Sequence, residues 1–193
     1  MATDSSEIEN FCKLKNIPVV MTSDQHTTCT DRTSEAAQHL GCQYVLEIQG
    51  DEPTLLAKDM DKMIEKAIDE NVPASILYTK LEKNLVYNQN IVKLVVDSRS
   101  RALYFSRSPI PCSYKEKEVD YFRQIGLYFW TTEFLKVLTG LPIGPLETIE
   151  ETQVMRLVEN KIDTLMVYTD FNPLGVDLPS DIEKAESILK RSI

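Results

Sequence analysis

The segment Tyr44-Val45-Leu46-Glu47-Ile48-Gln49-Gly50-Asp51-Glu52-Pro53 constrains the fold more than any other stretch. It reads as a buried strand, Tyr44 to Ile48, that stops at a glycine and delivers two carboxylates into the loop beyond. Glycine allows backbone angles closed to other residues, and Pro53 bars continuation of the strand. In open α/β sheets ligands bind outside the carboxyl ends of strands, so Asp51 and Glu52 are placed to hold a hard cation on a phosphate. Taken alone, the same residues also read as a polar turn.

The flanking pattern decides the fold class. Ser6 to Leu14 reads as a helix, Ile17 to Met21 as a short strand, and Asp31 to Leu40 as a helix ended by Gly41. A helix from about Lys58 to Glu70 presents Met60, Met63, Ile64, Ala67 and Ile68 on one face. Strand, loop and helix in alternation predict a parallel α/β sheet. The middle differs: Ala74 to Leu81, Ile91 to Val96 and Arg123 to Trp130 are strand-like, with no long helix between the first two. That predicts a mixed or antiparallel section, a small lobe within about 74–145 of a single 1–193 domain. Thr131 to Thr139 and Leu146 to Val158 read as helices, Ile162 to Tyr168 as a strand, and Pro179 to Lys190 as a helix begun by proline.

Composition excludes several classes. A net charge of −9 over 193 residues lacks the basic face that general nucleic-acid binding needs. No run approaches the roughly 18 apolar residues of a membrane span. The four cysteines show no metal-ligand spacing, and there are only two histidines, so free thiols in a cytoplasmic protein are expected. An anionic substrate would need arginine, lysine, helix N-termini or a divalent metal to offset the overall field.

Four further segments carry possible chemistry. His26-Thr27-Thr28-Cys29-Thr30-Asp31-Arg32 is a hydroxyl-rich loop entering a helix, where amides and Arg32 favour anions; a helix cap with a surface ion pair reads equally well. Tyr104 to Pro111 places Arg107 after an aromatic pair, which suits a carboxylate, or is a plain proline-stiffened connection. Pro145 to Glu150 puts acidic residues at a helix start, expected on electrostatic grounds alone, and the Glu147 to Arg156 spacing does not make a helical pair. In Gly175 to Asp181, Asp177 lies between a strand and a proline-started helix; with Asp51 it could converge on one metal, or it could cap the helix.

Together these segments resemble the CMP-Kdo synthetases (3-deoxy-manno-octulosonate cytidylyltransferases). The resemblance rests on Ala2-Thr3-Asp4, Val20-Met21-Thr22, His26 with Thr30 and Arg32, Gln49 to Pro53, Asn88 to Lys93, and Tyr104 to Arg107 with Ile110-Pro111. It continues through Gly126, Tyr128, Pro145-Leu146-Glu147, Ile149-Glu150, Arg156 and Gly175-Val176-Asp177 with Pro179 and Asp181. It implies a nucleotide-diphospho-sugar-transferase-like mixed sheet flanked by helices. It also implies transfer of a cytidylyl group from CTP to the anomeric hydroxyl of Kdo, an acidic keto sugar, with release of pyrophosphate, for lipopolysaccharide or related glycan synthesis. The implied roles are Mg²⁺ on Asp51 and Asp177, and the sugar acid on Gln49, Arg107, Glu147, Gln124 and Tyr128, with Arg107 facing its carboxylate. Thr28, Thr30 and Arg32 would lie on the nucleotide side. A homodimer paired through the middle strands is implied as well.

The departures are specific. Thr28-Cys29 stand where the family carries Ser-Gly, Gln124 where it carries a sugar-contacting histidine, and Gln153-Val154 where it carries Glu-Gln. These changes bring in an alternative substrate, a related acidic or 8-amino sugar. The family also opens with a strand and a basic loop around the CTP phosphates. Met1-Ala2-Thr3-Asp4 reads as the tail of a strand, with roughly 40 residues of that kind not seen in this sequence. A truncated, non-catalytic homologue acting by dimerisation is therefore a second alternative.

Overall fold

The computed structural model describes residues 1–116, 118–176 and 178–191. Its strands are β1 (Ala2–Thr3), β2 (Val20–Met21), β3 (Tyr44–Ile48), β4 (Ala74–Leu81), β5 (Lys93–Val96), β6 (Ala102–Ser106), β7 (Tyr121–Thr131) and β8 (Thr164–Tyr168). The helices are α1 (Ser6–Leu14), α2 (Cys29–Leu40), α3 (Ala57–Asp69), α4 (Thr132–Gly140), α5 (Pro145–Glu150), α6 (Met155–Glu159) and α7 (Pro179–Arg191). The main sheet is mixed, in the order β6-β5-β7-β4-β8, with β3 also on β7; β1 and β2 form a separate parallel pair. β4 runs parallel to β8 and antiparallel to β7. On its edge away from β7, β3 pairs with no strand among the described residues.

Local chemistry explains the helix boundaries. The Ser5 side chain accepts from the Ile8 N–H at the start of α1, and Thr28 accepts from the Asp31 N–H at the start of α2, each satisfying an orphan donor. Gly41 closes α2 in the left-handed region at φ 63°, where a side chain would be strained.

Both faces of the sheet are covered, so the central strands are apolar along their length instead of alternating. From β7, Tyr128 and Trp130 pack with α4 and α6 residues such as Leu135, Leu138 and Leu157. Leu127 and Phe129 point the other way, against Met63 and Ala67 of α3. β4 divides similarly, Ile76 to the first cluster and Leu77 to the second.

Three expectations need correction. The stretch 146–158 is two short helices, α5 and α6, because Glu151 turns the chain at φ 46°, which a continuous helix cannot contain. Tyr104 to Ser106, in the segment 104–111 for which a plain connection was one reading, belong to a strand, β6, hairpinned to β5. Gly50 is not left-handed, and a Cβ there would meet nothing within 4 Å; it ends β3 without being sterically required.

Candidate active site

β4 covers one edge of β7 almost throughout, while β5 and β3 share the other. β5 pairs with Phe122 and Arg123, and β3 with Leu127 to Thr131. Between them the edge of β7 is left without a paired strand, and a cleft of about 620 Å³ opens there.

Its floor comes from β7 and the end of β3. The Tyr128 hydroxyl accepts from Gln124 Nε2 at 2.7 Å and Gln49 Nε2 at 3.3 Å. Burial pushes the Tyr128 phenol upward, so it stays neutral. Gly126 leaves room for Gln49 here: a Cβ would lie 2.5 Å from Gln49 Oε1 and displace that side chain. Among the described residues the Gln124 side-chain oxygen, Oε1, is buried without a hydrogen-bond partner, an acceptor suited to a ligand hydroxyl. The Glu52 carboxylate turns inward to accept the Gly126 N–H, whereas Asp51 stays exposed.

Two cations hold the rim. The Arg107 guanidinium donates to the main-chain oxygens of Glu150 (2.8 Å), Gln89 (2.9 Å), Asn90 (3.4 Å) and Glu151 (2.8 Å). The fully buried Lys93 ammonium donates to the carbonyls of Asn88 and Ile91 at 2.8 Å and to that of Arg107. Every carbonyl from 88 to 91 is thus turned onto a cation. Burial, followed by the Arg107 charge, lowers the Lys93 pKa. Arg107 lines the cleft, but most of its donor capacity is spent on backbone, leaving little for a ligand.

Glu147 lines the opposite wall and is bound bidentately by Arg156, at 2.7 Å from Nε and 2.6 Å from Nη2. The turn at Glu151 folds α6 back on α5 and makes this pair, which the spacing of the two residues does not suggest. Glu159 of α6 accepts the Leu146 and Glu147 N–H groups, capping α5.

The hydroxyl-rich loop divides. Thr28 lines the cleft. Thr30 is buried beneath it, donating to Glu47 and accepting from Gln153 Nε2 at 2.5 Å. Arg32 is not among the lining residues; it binds Asp4 (2.9 Å), the Thr22 hydroxyl (2.6 Å) and the Ser23 carbonyl (3.2 Å), tying α2 to β1 and β2. Glu47 and Gln153 were not among the sequence candidates. The signal for Glu47 was a lone charge within an apolar strand. Gln153 entered only as a departure from a family pattern.

Asp177 lies outside the described residues. Its neighbour Val176 donates its N–H to the Asp51 carbonyl at 2.8 Å, and the Leu174 N–H reaches the Thr54 hydroxyl at 2.7 Å. The chain just before residue 177 therefore runs against the Asp51 loop. Among the described residues no group of three or more His, Cys, Asp or Glu could hold a metal. Exposed carboxylate oxygen at a strand end still suits Mg²⁺, which binds through one or two carboxylates and completes its shell with water and phosphate.

A mixed sheet flanked by helices, with a polar cleft and acidic loops at its strand ends, is the architecture of a nucleotide-sugar transferase. Residues 1–165 match the family described as Cytidylyltransferase. A 3-deoxy-manno-octulosonate cytidylyltransferase of Koribacter versatilis is 36% identical over 191 residues, covering 98% of this chain and 73% of the relative. That of Syntrophotalea carbinolica is 37% identical over 206 residues, covering 98% and 80%. A solved CMP:2-keto-3-deoxy-manno-octonic acid synthetase complexed with CTP superposes with a TM-score of 0.92 at 27% identity, covering all of this chain and 80% of that one. The chain belongs to the cytidylyltransferase family and is, by that membership, a nucleotidyltransferase.

Proposed function

We propose that the protein transfers a cytidylyl group from CTP to the anomeric hydroxyl of Kdo, releasing pyrophosphate. The observation that carries this reading is the single cleft joining Gln49, Gln124, Tyr128, Arg107 and Glu147 to Thr28, beside the Asp51 loop. The relatives named for this reaction support it. In-line attack on the α-phosphate requires the sugar hydroxyl to be held in line and water kept out. The amides of Gln49 and Gln124 and the carboxylate of Glu147 suit a polyhydroxylated ligand. Arg107, held rigidly at the rim, supplies positive potential for the sugar carboxylate. Asp51, with Asp177 beyond the described residues, would hold Mg²⁺, which when bound offsets the triphosphate charge.

No helix among the described residues is long and apolar enough to cross a membrane. A cytoplasmic setting is part of the proposal and is supported by four free cysteines. A homodimer formed through the lobe within about 74–145 is supported by exposed Tyr87, Leu103 and Tyr114 in that stretch.

The test is pyrophosphate release from CTP, Mg²⁺ and Kdo. Asp51→Asn should lower kcat/KM by about 10²–10³-fold, the several kcal/mol of charge stabilisation a metal site supplies. Its thermal midpoint should stay unchanged, because the side chain is exposed. Wild-type turnover in Asp51→Asn would remove Asp51 from the site, and absence of product with the unaltered chain would remove the reaction.

A further inference from the structure

One buried acid beneath the cleft has no part in the reading above. The Glu47 carboxyl, on β3, is 4% exposed. It accepts from Trp130 Nε1 at 2.8 Å and from the Thr30 hydroxyl at 3.2–3.3 Å. Thr30 in turn accepts from Gln153 Nε2, and Gln153 lines the cleft. Gln153 also bonds Glu47 itself, so the Glu47 carboxyl in the interior of the sheet is connected to the substrate wall both directly and through the Thr30 hydroxyl.

We propose that Glu47 is a positioning residue that, directly and through Thr30, sets which end of the Gln153 amide is offered to the substrate. A carboxylate only accepts, so with Glu47 ionised the Thr30 hydroxyl must give its proton to Glu47. Its lone pairs then receive the Gln153 N–H, and the Gln153 carbonyl oxygen is the end left for the cleft. A protonated Glu47 can instead donate to Thr30. The Thr30 proton then turns outward and requires an acceptor, which the Gln153 amide provides by rotating end for end. The two amide ends are nearly the same size, so the rotation costs no packing. The wall changes from acceptor to donor with one proton, and no covalent bond is made or broken.

The surroundings allow this change near neutral pH. Burial raises the Glu47 carboxyl to about 7, against the opposing hydrogen bonds of Trp130, Thr30 and Gln153, with Asp31 adding repulsion. From α2, Cys29 and Asp31 face it; burial, then Glu47 and Asp51, push the Cys29 thiol up. From β7 comes the neutral Tyr128 phenol. The nearest guanidinium of α6, Arg156, is bound to Glu147.

The Glu47–Gln153 relay belongs to the chain itself and is open to test without any substrate. In ¹⁵N-labelled protein, the Gln153 side-chain amide signals are assigned by their loss in Gln153→Ala. They should move with pH about a midpoint near 7, stay fixed in Glu47→Gln, and move by less in Thr30→Val, where the hydroxyl arm of the relay is gone. Signals that ignore pH, or that titrate equally in Glu47→Gln, overturn the relay. In turnover assays, KM for one substrate should change about tenfold between pH 6 and 8.5, as expected for one mismatched hydrogen bond, with kcat moving less. Glu47→Gln should hold KM at the wild-type low-pH value across the range. A Glu47→Gln profile that overlays the wild type overturns the proposal, whichever sugar is used.

Discussion

Arg156→Met is expected to destabilise the fold by about 3–5 kcal/mol, the cost of leaving one member of a buried ion pair alone. Both side chains of the Arg156–Glu147 pair are only 6% exposed. The guanidinium grips both carboxylate oxygens and also reaches the Leu138 carbonyl at 3.3 Å. The hydrogen bonds to Glu147, and then its charge, raise the Arg156 pKa against the effect of burial, so deprotonation offers no escape. Urea unfolding should show the midpoint falling with little change in slope. Combining Arg156→Met with Glu147→Leu should recover most of the loss, since a buried pair can often be replaced by apolar residues of similar volume. A single-mutant loss below about 1 kcal/mol would place the pair with ordinary surface bridges.

Glu47→Gln is expected to act in the opposite direction. The Glu47 carboxyl is raised in the folded protein from 4.5 to about 7. Between those values the native state binds a proton that the unfolded chain has lost, so this residue makes stability fall as pH rises. Glutamine carries no such penalty. The two proteins should be equally stable below pH 4.5, diverge through the window, and differ above pH 7 by about 3 kcal/mol in favour of Glu47→Gln. That figure is an upper value, since the glutamine accepts more weakly from Trp130. Denaturant midpoints at pH 4, 6 and 8 test it, and a constant difference across the three would refute the titration. A stabilising change at the floor of a cleft fits the general trade between stability and a strained functional site.

How far the sequence alone could reach depended on whether the relevant signal was local. The spans Ser6–Leu14, Tyr44–Ile48 and Ala74–Leu81 agree with the structure at both ends, because caps, glycine and apolar runs act within a few residues. The break between α5 and α6 was not legible. Apolar spacing continues across it, and nothing marks Glu151 as a left-handed residue. The Glu147–Arg156 pair depends on that break, so it was hidden as well. Glu47 stood as a lone charge within a strand read as buried, and its partners could not be named because they come from α2 and β7, which are distant in sequence. Arg107 was legible as a cation beside the ligand site, but its carbonyl partners lie in two other segments.

Those partners have a consequence for binding. A long cationic side chain normally loses several rotatable bonds of freedom when it captures an anion, and affinity suffers accordingly. Here the ordering of Arg107 is completed during folding, by backbone oxygens of two segments, 89–90 and 150–151, and by Lys93, which holds the Arg107 main-chain carbonyl. An anion arriving at this rim meets a charge that is already immobile. Its attraction is set by field and distance, with almost no entropy left to be lost on the protein's side.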